Sequence, residues 1–292
     1  MKRITCLLVS LILLGSSYYV SAQTVDYKQR YDRLVAKVGQ FGLGVENLLT
    51  KWELQDSTSK DMLEAKFNYY FGKSQTAQVV KKPHKKYLGM DPLLSLNDSL
   101  GNTVYYYQEQ FYDEDLYSQA LKISEKIIRY YPDDLDFRFM KANALIAYEK
   151  ENPDMASAYL FELIELDHKR QRPWNFQGKK MQEGFFAEAI QEYCHTFYVV
   201  GSSSAMNQFL AISKRMYELN PDNTCFLSNI ATYYLVAKDD PKTALKYYNK
   251  VLKKVKDDET ALRNSVVAAR KSGNVKLETK YRELLMKYGY IK

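Results

Sequence analysis

The feature that most constrains this chain is a pair of amphipathic segments between Pro221 and Asp258, PDNTCFLSNIATYYLVAKDDPKTALKYYNKVLKKVKDD. In the first segment Leu227, Ile230, Ala231 and Tyr234 recur at i, i+3, i+4 and i+7, a single apolar stripe on a 3.6-residue period. In the second, Ala244, Tyr248, Val251, Leu252 and Val255 form a matching stripe. Asp239-Asp240-Pro241 divides the two. Asp caps a helix start, and Pro suits the first turn because it has no N–H to leave unsatisfied. Small side chains at Ala231 and Ala244 let two helix axes approach, and Tyr234 and Tyr248 fill the space beside them. Two helices alone leave much of this apolar surface in water, so the unit must stack on neighbours.

The acidic turns repeat the pattern along the chain. It advances 34 residues from Asp133 to Asp167 and 35 from Asp222 to Asp257, and one further unit reaches the C-terminus. Ala120 and Pro132 stand where the second helix of a unit begins to pack and ends. Leu135–Tyr148, carrying Phe139 and Ala142, pairs with Asp154–Leu166, carrying Ala156, Tyr159 and Leu160. Phe185–Tyr198 and Ser204–Leu219 form a pair closed by Asn220-Pro221, and Glu259–Lys271 with Val275–Lys287 form the last.

Over roughly Asn102 to the C-terminus these residues resemble the tetratricopeptide-repeat family, whose unit is about 34 residues long. The small positions Ala120, Ala142, Ala156, Ala231 and Ala244, the aromatics Tyr234 and Tyr248, and Pro132 and Pro221 carry the likeness. Ser124 and Ser265 depart from it, standing where the family prefers large apolar residues. The resemblance implies an all-α solenoid of helix-turn-helix units with a concave face that binds protein.

The N-terminal third is less regular. Met1-Lys2-Arg3 followed by the apolar run Ile4 to Leu14 and Val20-Ser21-Ala22 is the pattern of a secretory leader, predicting cleavage after Ala22. Cys6 precedes most of the apolar run, so it does not fit a lipidation site. The expected destination is the periplasm or the cell exterior, with no integral membrane segment in the mature chain. Residues 23–101 read as an irregular helical region: two helices around the Gly39–Gly44 break, a third starting near Ser57 to Lys60, and a polar loop from Gln75 to Leu88. Within residues 91–107 two apolar runs flank the turn formers Asn97 to Asn102, which predicts a small β-hairpin; the competing reading starts a helix near Asn102. The leader, tyrosine-rich helices and hairpin-like segment are similar to exported repeat proteins of Bacteroidetes, which implies a place in the cell envelope.

Charge and reactive residues exclude more than they assign. The net charge of +7 falls to +5 once Lys2 and Arg3 leave with the leader, and the one dense basic block is Lys81-Lys82-Pro83-His84-Lys85-Lys86. Nucleic acid is not an expected partner. His84, His168 and His195 are scattered, and Cys194-His195 are adjacent on a helical pattern, where neighbours diverge by about 100°. Neither metal-ligand spacing nor a nucleophile–base pair results, and no phosphate-binding glycine loop occurs. The expectation is a non-catalytic protein without metal or cofactor, with Cys194 and Cys225 as buried free thiols in their helical patterns and one disulfide between them as the alternative.

Residues 168–183 interrupt the period and read as an insertion. Arg170, Arg172, Trp174, Phe176 and Lys179 within it are candidates for a partner-binding loop, because aromatic and Arg side chains combine contact area with charge-assisted bonds. The competing reading has Trp174 filling the core where the stack is irregular. The 26 tyrosines either cap the rims of helical cores or line a groove for peptide or sugar. Scaffolding of an envelope protein or peptide is the leading expectation, with glycan or peptidoglycan binding through exposed aromatics as the alternative.

Overall fold

A computed structural model describes residues 25–291; the leader predicted for residues 1–22 lies outside them. The first helices are α1 (Tyr27–Val38), α2 (Val45–Gln55) and α3 (Lys60–Lys73). Asp26 caps α1 by accepting the Gln29 N–H at 2.9 Å, and Ser59 caps α3. Between α1 and α2 the chain turns through Gly39 and Gly44, at φ +82° and +87°, angles that glycine alone adopts without strain.

A three-stranded antiparallel sheet follows, made of β1 (Gln75–Lys82), β2 (Leu94–Asn97) and β3 (Thr103–Tyr112) in the order β1-β3-β2. The hairpin predicted around 91–107 is its β2–β3 arm. Its turn is held by the Asp98 carboxylate, which accepts the N–H groups of Leu100 and Asn102. The competing helix from Asn102 does not form. Two expectations need correction here. Gln75–Lys82 is not loop but strand, paired along its whole length with β3 from Gln75↔Tyr112 to Lys82↔Tyr105. The helical repeats do not begin at Asn102 either, because residues 103–112 are that central strand.

The remaining helices are α4 (Glu114–Tyr130), α5 (Leu135–Glu149), α6 (Asp154–Lys169), α7 (Phe185–Val200), α8 (Ser203–Leu219), α9 (Thr224–Val236), α10 (Pro241–Lys254), α11 (Glu259–Lys271) and α12 (Val275–Lys287). Helix α4 packs against α3, so the sheet is spliced between the two helices of one unit. The pairs α5/α6, α7/α8, α9/α10 and α11/α12 follow. The architecture is an all-α solenoid of helix-turn-helix units of tetratricopeptide type, with a small sheet inserted near its start. Ala120, Ala142, Ala156, Ala231 and Ala244 are fully buried, as is Tyr248; Tyr234 is half-buried and Pro132 and Pro221 are exposed in turns. Ser124 and Ser265 are fully buried as well, small residues where a large one would push neighbouring helices apart.

Three clusters of buried side chains run along the stack, each spanning neighbouring units. This is the quasi-one-dimensional core of a repeat protein. Tyrosine serves it in several ways. Tyr117 and Tyr148 stack at 4.3 Å between centroids, Tyr234 and Tyr247 at 5.5 Å, and the Tyr281 hydroxyl donates to Asn249 Oδ1 at 2.8 Å.

Candidate functional site

The first helices of three consecutive units, α3, α5 and α7, border one apolar groove of about 990 Å³. Phe67 and Phe71 reach it from α3, Phe137, Phe139 and Met140 from α5, and Phe185 and Tyr193 from α7. These residues are there because α3 and α5 are apolar on more than one face. Helix α5 buries Leu135, Ala142 and Leu145 but also Phe137 and Ala144, so one set packs on its unit partner and the other turns inward. The rings form two groups: Phe67 and Phe71 stack at 5.5 Å on α3, while Phe139 lies 5.6 Å from Tyr193 and 6.1 Å from Phe176, which in turn lies 5.1 Å from Phe185. The charged side chains lining the groove are Glu64, Asp136, Glu188 and Glu192, all carboxylates.

Phe176 comes from the insertion, which folds as a minimal hairpin of β4 (Asn175–Phe176) and β5 (Lys179–Lys180). It is fastened to the start of α5. The Asn175 N–H donates to the Asp133 carbonyl at 2.9 Å, the Gln177 N–H to the Asp136 carboxylate at 2.9 Å, and the Arg170 guanidinium pairs with the Asp133 carboxylate at 2.7 Å. That hydrogen bond from Arg170 holds Asp133 below the usual carboxylate range. Asp134, at the N-cap position of α5, makes no capping bond; its carboxylate takes Lys60 at 2.7 Å and the Asn175 amide at 3.2 Å instead. Asp240 and Asp258 do cap their helices, accepting the N–H groups of Thr243 and Ala261.

Among the residues singled out in the insertion, the structure separates those that reach the groove from those that do not. Trp174 is 3 % exposed, and its indole N–H donates to Asp167 at 2.8 Å. The Arg170 guanidinium lies over its ring at 3.8 Å and that of Arg138 at 5.2 Å. Trp174 thus fills the junction between α6 and α7, the second of the two roles read from the sequence. Burial raises the Asp167 pKa, with the Trp174 hydrogen bond acting against it. Arg170 is committed to Asp133 and Trp174, while Arg172 and Lys179 are exposed. Only Phe176 of the five lines the aromatic groove.

No protein-family model matches this chain, and no curated protein matches it. Solved structures that it resembles include "Crystal structure of MamA protein", 13 % identical, covering 59 % of this chain and 82 % of that one at a TM-score of 0.36. "MamA 41-end from Desulfovibrio magneticus RS-1" is 13 % identical over 80 % of this chain and 95 % of that one, at a TM-score of 0.32. "MamA RS-1 ArsTM double mutant" is 14 % identical over 80 % and 94 %, also at 0.32. Scores this low fix neither a partner nor a site for this chain.

Beyond α7 the inner face changes character. Gln191 and His195 of α7, Asn229 and Thr232 of α9 and Asn264 of α11 surround a small polar recess of about 190 Å³. Behind it the Asn229 amide donates to Gln191 Oε1 at 2.8 Å and Ser213 Oγ at 3.2 Å. Cys194 lies 3.6 Å from the same Ser213 hydroxyl. Burial pushes its thiol up to about 12, so it remains protonated at neutral pH and is no nucleophile. Cys225 is unpaired and exposed, contrary to the buried position its helical pattern suggested; it sits in the first turn of α9, where one side faces solvent. Among the described residues no cluster of metal-ligating side chains occurs, and no helix is long and apolar enough to cross a membrane.

Of the groove residues only Phe176 is a binding candidate in the sequence; Phe139 stands there as a packing position of its helix, and the others escape that reading. Their signal was present in Phe137 and Phe139, which put an aromatic on a second face of α5. A helix apolar on two faces, but too short for a membrane, either sits deep in a core or offers one face to a partner.

Proposed function

We propose that this protein is a non-catalytic scaffold that holds a segment of another protein in the groove between α3, α5 and α7, and that it does so as an exported protein of the cell envelope. One observation carries the reading: a single apolar groove runs along the first helices of three successive units, with the half-buried rings of Phe71, Phe139, Phe176 and Phe185 at its surface. A concave, mostly apolar groove with a few charged groups at its border is the usual form of a binding site. The helices are already packed on their unit partners, so little ordering cost falls on this side of the interface. Three helices at the usual spacing of 8–10 Å span about 20 Å, room for roughly six extended residues.

No observation favours the glycan alternative, because Trp174, its natural stacking platform, is buried beneath Arg170. The test is site-specific photo-crosslinking in cells. A crosslinker at Asn143, an exposed groove residue, is expected to capture one protein that a crosslinker at exposed Lys250 on α10 does not. Phe139→Glu should abolish the capture. Identical products from both positions, or capture indifferent to Phe139→Glu, would end the groove reading.

A further inference from the structure

The groove is bordered by charge of one sign, and from this we infer its partner's chemistry: an extended peptide segment in which Lys or Arg alternates with aromatic or large aliphatic residues. The inference rests on the groove being the partner-binding surface and adds what that partner must carry.

Three observations support it. The chain has 42 Lys and Arg against 35 Asp and Glu, yet the charged groups lining the groove are the four carboxylates Glu64, Asp136, Glu188 and Glu192. Helix α7 contains no Lys or Arg at all. The cations of the other two walls already have partners, and one of them, Lys60, also lies over the groove ring of Phe137 at 4.9 Å. On α3, Lys60 holds Asp134, Lys66 holds Glu53 and Lys73 holds Glu46. On α5, Arg138 lies over Trp174 and Lys141 pairs with Glu125, and Lys150 just past its end pairs with Glu109.

The second observation concerns repulsion. Glu188 and Glu192 lie one turn apart on α7, a like-charge spacing that weakens a helix. Among the described residues neither they nor Glu64 forms an ion pair, and all three are exposed. A bound cation would relieve that repulsion. Third, the half-exposed rings of Phe139, Phe176 and Phe185 line the same groove as these carboxylates, and aromatic faces attract Lys and Arg through their quadrupoles. Apolar side chains of the partner fill the space over Met140 and Tyr193. Acidic peptides and nucleic-acid phosphates meet repulsion here.

Fluorescence anisotropy with the mature chain tests this, using labelled peptides of about eight residues that alternate Phe with Lys, with Gln or with Glu. The Phe–Lys peptide should bind about tenfold tighter than Phe–Gln at low salt, with Phe–Glu weakest, and the gap should close as salt screens the charges. Glu188→Lys with Glu192→Lys alters only exposed positions, and it should reverse the preference toward Phe–Glu. Equal binding of Phe–Lys and Phe–Gln, both lost in Phe139→Glu, would keep the groove and discard the cationic partner. Failure of every peptide to bind, or binding that ignores Phe139→Glu, would discard both. An unchanged preference in the doubly reversed variant would also overturn the inference.

Discussion

The last two units, α9 to α12, and the stretch from α3 to α7 are built on the same helical pair but differ in how the pair is closed. In the C-terminal units the turns are short, Asp240 and Asp258 cap the second helix of one pair and the first of the next, and Ala231 sits in the same buried cluster as Ala244. The inner face they leave is narrow and lined by amides. Between α3 and α7 the pattern is interrupted twice, by the sheet of residues 75–112 and by the β4–β5 hairpin. There the acidic turn at Asp133-Asp134 secures inserted chain instead of capping a helix. The aromatic groove lies in this interrupted stretch, and one insertion adds Phe176 to it. Departure from the repeat and the apolar groove thus occur together.

That contrast can be broken most strongly at Trp174. If it is the plug of the interrupted stretch, Trp174→Ala should cost about 3–5 kcal/mol in urea unfolding, and hydrogen exchange should show residues 175–181 losing protection ahead of α11 and α12. A loss confined to a few tenths of a kcal/mol would mean that the insertion is a surface ornament. In the regular units stability should depend on close approach instead. Ala244→Leu is expected to cost about 1–3 kcal/mol by overpacking, while an added methylene at exposed Ala158 on α6 should leave the unfolding midpoint where it was.

The two stretches should also differ in acid. Burial alone would raise the pKa of Glu109 on β3, but hydrogen bonds from Lys150 and Lys82 outweigh it and hold the group low. A carboxyl whose folded pKa lies below its unfolded value of about 4.3 stabilises the fold above that value and loses the contribution as pH falls through the folded pKa. The β1–β3 pairing should therefore weaken as pH falls through that value. Glu109→Gln should cost about 1–2 kcal/mol at neutral pH, since both lysines retain some access to water, and should flatten the acid limb of the stability curve. Unchanged acid sensitivity would remove Glu109 as its cause. The smallest effect is expected at the caps: Asp258→Ala should cost about 1 kcal/mol. Asp134→Ala should act through Lys60, with a coupling in a double-mutant cycle of under about 1 kcal/mol.

The helices were legible in the amino-acid order, often to within a few residues, because an amphipathic stripe is written in residues three and four apart. The period marked by Asp133, Asp167, Asp222 and Asp257, and the small positions from Ala120 to Ala244, could be read without knowing what lay across from them. Strand β1 could not. QTAQVVKK has little strand character of its own and becomes extended by pairing with β3, some thirty residues away. The same limit applied to the candidate site. The composition of the insertion named Trp174 and Arg170 alongside Phe176, but their destinations depended on Asp133, Asp136 and Asp167, which lie on other elements or on the preceding helix. Nor does the order of residues tell which face of α5 stays uncovered, or that the lysines of α3 pair with carboxylates outside the groove. Local periodicity is a property of one helix; an open groove and the sign of its charge belong to three helices brought side by side.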